Sequence, residues 1–183
     1  MQISKRWRTI LLLPLIVALP FAASGAKYQS VLVDESGQLH IVLDSGNEVL
    51  PRKTRWQVSF ANPVISPDRR TVGWVVMCPD PSFPDYQGAQ LACNLVVYRA
   101  EFILHTFQAE PVLWDWRFQD GGKRVAYSTG PTHGGAAECI LRDVNSGRIV
   151  SRWRIREGFE PPVWAKTLRR DQTNRRSSRR SIG

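Results

Sequence analysis

Residues 65–74 read Ile65-Ser66-Pro67-Asp68-Arg69-Arg70-Thr71-Val72-Gly73-Trp74, and residues 118–127 read Phe118-Gln119-Asp120-Gly121-Gly122-Lys123-Arg124-Val125-Ala126-Tyr127. In both, an apolar residue is followed by a polar turn, a basic residue and a short run suited to a strand. Aspartate in such a turn accepts hydrogen bonds from neighbouring backbone amides, and glycine supplies positive φ. The run after it buries every second side chain. Outward from these stretches the chain says nearly the same thing twice. The first copy comprises 63–68, a turn at Arg69-Arg70, a strand over 71–77, an insertion over 79–92, and strands over 94–99 and 101–107. The second comprises 113–118, a turn over 120–123, a strand over 124–129, a Gly-rich loop over 130–137, a strand over 138–144, a turn at Asn145-Ser146-Gly147 and a strand over 148–155. Each copy reads as a four-stranded antiparallel meander. Upstream, 30–34 and 38–43 flank Glu35-Ser36-Gly37 as a hairpin, and Asp44-Ser45-Gly46-Asn47 turns the chain into 48–51. No long segment between 27 and 162 has helical periodicity.

The two quoted stretches resemble the blade signature of TolB-type β-propellers, in which an apolar residue precedes Ser-Pro-Asp-Gly, a basic residue and a strand ending in Ala-Tyr or Ala-Phe. Asp143-Val144-Asn145-Ser146-Gly147 is similar to the turn between a blade's third and fourth strands. The likeness covers about 63–155, with the outer part of a third blade at 30–50. Arg69 stands where the family has a turn glycine, and Gln119 and an additional glycine alter the second copy. Asp68 and Asp120 are farther apart than the roughly 40–45 residues of a WD-type blade, and the insertion accounts for the excess. The resemblance implies an all-β fold, a partial β-propeller-like stack of antiparallel four-stranded meanders. It marks folding rather than chemistry, with Asp68 and Asp120 capping turns. Propellers use 4–8 blades, so two and a half cannot close a ring. Either the stack stays open, capped by 27–60 and 156–165, or two chains complete each other. The lack of a closing strand in the C-terminal tail favours an open monomer over a homodimer.

Hydrophobic residues make up 43% of the 183, charged residues 22% and aromatic residues 10%, which excludes collagen-like, coiled-coil and wholly disordered chains. Lys5, Arg6 and Arg8 precede an apolar run from Ile10 to Ala23, followed by Ala22-Ala23-Ser24-Gly25-Ala26. This is the order of an N-terminal signal peptide, assigned to 1–26, with cleavage near Gly25 or Lys27. The run is shorter than the roughly 20 residues of a membrane span. An uncleaved anchor is the alternative, and both readings export residues 27–183 to a periplasmic or secreted location. Export permits disulfides. Cys78 and Cys93 bracket the insertion between neighbouring strands and form the expected pair, which leaves Cys139 buried in a strand, reactive or intermolecular.

The formal net charge of +9 is unevenly spread. The leader removes three positive charges, and the segment 166–183 sets seven positive side chains against Asp171, so a domain at 27–165 is close to neutral. The tail has almost nothing to bury and reads as disordered. Its pairs Arg169-Arg170, Arg175-Arg176 and Arg179-Arg180 give a footprint for phosphate or anionic lipid headgroups, with plain solubilisation as the alternative. No aromatic residue interleaves with these arginines, which argues against nucleic acid.

Candidate chemistry is sparse. His133 in Gly130-Pro131-Thr132-His133-Gly134-Gly135 is similar to a His-Gly-Gly oxyanion loop, but no Gly-x-Ser-x-Gly elbow supplies a nucleophile. His40 and His105 lie in strands and suit polar neighbours better than a metal. Asp143, Asn145 and Gly147 begin like a calcium loop, yet the later ligands are missing and a hairpin turn explains them. Asp80 and Asp85 have no diagnostic spacing. Trp114 and Trp116 share a strand face, as core filler or as an exposed platform for a partner. The Pro-rich insertion, with Phe83 and Tyr86, is the most distinctive candidate for recognition. The expectation is an exported, non-enzymatic binding module of the cell envelope, with no catalytic residue, cofactor or metal. It would recognise a protein or glycan partner through inter-strand loops and could meet an anionic membrane surface through its tail. The alternative is an exported hydrolase, or an accessory subunit of a peptidase-type enzyme.

Overall fold

A computed structural model of the chain describes residues 27–54, 56–82, 88–132, 137–156 and 158–168. It is an all-β arrangement of antiparallel sheets. The N-terminal sheet has β1 (Tyr28–Val33), β2 (Leu39–Leu43) and β3 (Glu48–Val49), in that order. The middle sheet runs β4 (Ser59–Ile65), β5 (Val72–Pro79), β6 (Gln90–Arg99), β7 (Phe102–Gln108). The C-terminal sheet is formed by β8 (Val112–Gln119), β9 (Arg124–Gly130), β10 (Glu138–Asp143) and β11 (Ile149–Arg154), again in chain order. A short helix, α1, covers 163–168. Among the described residues no helix is long and apolar enough to cross a membrane.

The two quoted stretches form the β4–β5 and β8–β9 turns. In the first, Asp68 Oδ1 accepts from the Ser66 hydroxyl at 2.5 Å and from the Arg70 amide at 3.1 Å, while Ser66 Oγ accepts from the Thr71 amide at 3.0 Å. These bonds close the turn early, so β4 ends at Ile65 and begins at Ser59 instead of occupying 63–68. Pro63 is tolerated because β4 is an edge strand, bulged between Ala61 and Val64. Arg69, the residue that follows Asp68 in this turn, takes φ 60°. That left-handed backbone costs a non-glycine residue roughly 1–2 kcal/mol. The side chain offsets it by bonding the Tyr28 carbonyl at 3.0 Å and pairing with Asp44, so the deviant residue fastens the middle sheet to the N-terminal one. In the second turn Gly122 takes φ 101°, and a Cβ there would lie 2.8 Å from Asp68 Oδ1. The two turns touch, and only glycine fits the contact. Asp120 does not cap this turn through its carboxylate but pairs with Arg124 at 3.1 Å.

The period of two along β5 divides the core. Val72, Trp74 and Val76, with Phe60, Val96 and Tyr98, meet Tyr28, Leu39, Ile41 and Leu43 of the N-terminal sheet. On the opposite face Val75, Leu95, Val97 and Phe107 meet Leu113, Trp116, Val125, Tyr127 and Ile140. Trp74 and Tyr127, the matched aromatic positions of the two copies, thus each face the preceding sheet. The far face of the C-terminal sheet, with Ala126, Cys139 and Leu141, is covered by Ala165 and Leu168 of α1. The strand reading contained no helix. One forms because Ala165 and Leu168, three apart, share one side of a turn and can close that face.

Candidate functional site

The N-terminal sheet is too narrow to cover the middle one. Its third strand is only Glu48–Val49, after which the chain leaves as a strap, described over 50–54 and 56–58. The strap is held at its ends, by the Gln38 side-chain amide on the Pro51 carbonyl at 3.0 Å and by the Val58 amide on the Met77 carbonyl at 2.8 Å. Between strap and sheet a cleft of about 380 Å³ remains, lined by Val49, Pro51 and Arg52 on one side and by Trp74, Val96, Tyr98, Phe102 and Ile103 on the other. Phe102 and Ile103 are 54% and 52% exposed, and Trp56 on the strap is 69% exposed. Consecutive strand residues point to opposite faces, so an exposed apolar pair at a strand start is not core filler.

The chemistry of this cleft is that of holding rather than transforming. Trp74, Tyr98 and Tyr28 lie in a row of mutually tilted rings, with centroids 5.8 and 6.1 Å apart. Burial pushes the Tyr98 phenol up to about 12, and it likewise raises Tyr28, partly offset by the backbone amides of Glu101 and Ala100. Both phenols are therefore neutral at ordinary pH. The Trp74 indole Nε1 is buried without a hydrogen-bond partner. An unsatisfied buried donor costs roughly 1–3 kcal/mol. The hairpin carrying Phe102 turns through Ala100 and Glu101, both in the left-handed region at φ 50° and 66°, where Asn and Gly are the usual residues.

A second, polar cleft of about 480 Å³ lies between the middle and C-terminal sheets. Its arginines are already engaged. Arg142 donates to the Tyr127 hydroxyl at 3.0 Å and to the Gly147 carbonyl at 2.8 Å, with its guanidinium 4.7 Å from the Phe107 ring centroid. Arg152 pairs with Glu138 at 2.8 Å.

The expected pair Cys78 and Cys93 is a disulfide with Cα atoms 5.9 Å apart, joining β5 to β6. Such a bond belongs to an oxidising environment outside the cytoplasm. Cys139 is fully buried in β10 beneath α1. Asp80 is buried and its carboxylate accepts from the Ser82 amide at 2.8 Å, which makes it a turn residue at the base of the insertion. Asp143 Oδ1 accepts from the Ser146 amide and hydroxyl, both at 2.8 Å, which closes the hairpin turn. His105 meets the Asn145 carbonyl at 3.1 Å, and His40 lies between Glu48 and Asp34, so both histidines have polar partners. Among the described residues no cluster of histidine, cysteine and carboxylates has metal-binding geometry.

Trp114 and Trp116 are not a paired platform. The register slips between Leu113 and Asp115, so Leu113 and Trp116, three apart, share the inter-sheet core, and Trp114 is the residue the bulge inserts. Trp116 is buried against Gly73, whose absent Cβ would sit 2.5 Å from the indole. Phe83, Tyr86, Asp85, His133, Arg175, Arg176, Arg179 and Arg180, and the leader 1–26, lie outside the described residues. The sequence reading missed the cleft. Two signals pointed to it, the polar run Pro51-Arg52-Lys53-Thr54 where a fourth strand was due and the adjacent apolar pair Phe102-Ile103.

No protein-family model matches the sequence, and a search of curated proteins finds no match. Among solved structures 34 chains match. One is a crystal structure of the eukaryotic initiation factor, 14% identical, with a TM-score of 0.47 over 75% of this chain and 31% of that one. This chain spans under a third of that protein's length, and so distant a likeness carries no functional argument.

Proposed function

We propose that the chain is an exported, non-enzymatic binding module of the cell envelope, a partial stack of TolB-type blades that engages a protein partner. The blade reading is supported by three successive antiparallel meanders, by matched turns after Ile65 and Phe118, and by the matched placement of Trp74 and Tyr127. Export is supported by the leader pattern and by the disulfide. The observation that carries the binding role is the apolar cleft with Phe102 and Ile103 half exposed at its margin. Exposed apolar surface next to a concave site is costly to keep in a monomer unless something covers it. The Arg-rich tail adds retention at an anionic membrane surface.

The full chain, immobilised and offered envelope proteins beside a glycan array, is expected to retain a protein saturably and no glycan. Glycan binding alone, or turnover of a peptide or ester panel, overturns the proposal. Retention is tested by deleting 169–183, since Leu168 is buried and must stay. Undiminished association with anionic vesicles after that deletion removes the tail's role.

A further inference from the structure

Taking the binding-module reading as its premise, we propose that the cleft between the strap and the β6–β7 hairpin receives an extended acidic peptide segment of the partner protein, seating one apolar side chain with a carboxylate beside it. Three observations define this occupant. The apolar lining and a volume of about 380 Å³ sit at the small end of ligand sites, roughly 300–1,000 Å³, which suits one large side chain rather than an oligosaccharide. Trp74, whose indole N–H is buried and unpartnered, lines the cleft, so an occupant seated there changes the surroundings of that indole. Arg52 lines the strap side with Lys53 next to it, and among the described residues neither has an ion-pair partner. Glu101 lines the hairpin side. The site therefore has a direction, with acid toward the strap and peptide N–H toward the hairpin.

The chain's own ends do not supply this chemistry. The leader 1–26 holds Lys5, Arg6 and Arg8 and no acidic residue, and 166–183 sets seven positive side chains against Asp171. Either would bring positive charge to a positive strap. An acidic segment of another protein is the complementary occupant.

The test uses the full chain and three end-capped peptides, one with Phe followed by two Glu, one with Phe followed by two Lys, and one with Ala replacing Phe. Binding is read from the tryptophan indole N–H resonances, with the Trp74 signal identified by its loss in Trp74→Phe. The Phe-Glu-Glu peptide is expected to move the Trp74 resonance, and each altered peptide to bind about tenfold more weakly. Arg52→Glu should reverse the preference between Glu and Lys peptides. Ile103→Asp, at a half-exposed position that leaves folding intact, should abolish binding of all three. Binding that leaves the Trp74 resonance unmoved, or that Arg52→Glu does not alter, overturns the proposal. So does a lack of binding by the Phe-Glu-Glu peptide, or self-association that Ile103→Asp abolishes, which would make the occupant a second copy. A partner protein retained equally by wild type and Ile103→Asp would sink the cleft assignment while leaving the binding module standing. No protein retained by the wild-type chain would sink both.

Discussion

The middle sheet has two neighbours and is treated differently by each. Toward the C-terminal sheet it meets a four-stranded meander of its own width, and Trp116 lies on Gly73 with no room for a single methyl group. What remains open there is a polar cleft at the rim, its arginines already bonded. Toward the N-terminal sheet it meets three strands, the last of two residues, and what remains open is apolar and lined by a buried indole with no partner. Matched sheets use up their apolar faces on each other, whereas a mismatch leaves surface for another molecule. The fastenings follow the same division. The tight junction is held by shape and by touching turns, at Gly73 against Trp116 and Gly122 against Asp68. The open junction is crossed by Arg69, bonded to Tyr28 and Asp44, and each sheet beside it is braced internally, the middle one by the disulfide between β5 and β6 and the N-terminal one by His40 between two carboxylates.

Removing the covalent brace of the middle sheet, beside the open junction, is the strongest way to break the contrast. Cys78 and Cys93 are separated by 15 residues and flank the core shared with the N-terminal sheet. Closing a loop of that size stabilises by about 3 kcal/mol in chain-entropy terms. Cys78→Ser/Cys93→Ser should lose about that much by urea unfolding. Amide exchange should rise in β1, β2 and β6 before β9 and β10, and uniform loosening would show that the two junctions are not independent. The tight junction is broken from the other side by Gly73→Ala. Overpacking of this kind costs about 1–3 kcal/mol, and Trp116→Leu in the same chain should recover part of it. An additive double variant would mean that the indole moves aside freely and that shape does not hold this junction.

Much of this contrast was legible in the sequence. Among the described residues, the repeated signature and the upstream hairpin reading together placed ten of the eleven strands within a few residues, because strand period and turn chemistry are local properties. The Cys78–Cys93 pair followed from the insertion it brackets. The cleft did not, because it depends on how far one sheet overlaps the next, which no local pattern encodes. Trp114 and Trp116 misled for a related reason. A bulge after Leu113 shifts the register by one residue, and alternation counted along the sequence cannot show it. Arg69 is an unusual residue for a left-handed turn position, and its compensation, a bond to Tyr28 far away in the chain, is visible only in three dimensions.

The smallest effect sharpens the comparison by pH. His40 contacts Glu48 through Nδ1 at 2.7 Å and Asp34 through Nε2 at 3.0 Å, tying all three elements of the N-terminal sheet on its outer surface. The Glu48 hydrogen bond, then the Asp34 bond, hold the imidazole pKa above its ordinary 6.5. The Gln38 amide, followed by the Ser36 hydroxyl and His40, lowers the Asp34 carboxyl from 3.8 to about 2. A raised histidine pKa stabilises fully below about 6.5 and is lost as pH climbs through the folded value. A lowered aspartate pKa stabilises above 3.8 and is lost as pH falls toward about 2. Both contributions are complete only between these limits, on the mildly acidic side of neutrality. Amide exchange of Ile41 and Val42 should therefore quicken, beyond the intrinsic rate, as pH rises from about 6 to about 9. Exchange in β9 and β10, which contain no histidine, should keep to the intrinsic rate. His40→Gln should flatten the alkaline limb in the N-terminal sheet alone, and an unchanged limb in that variant would transfer the pH response to some other group.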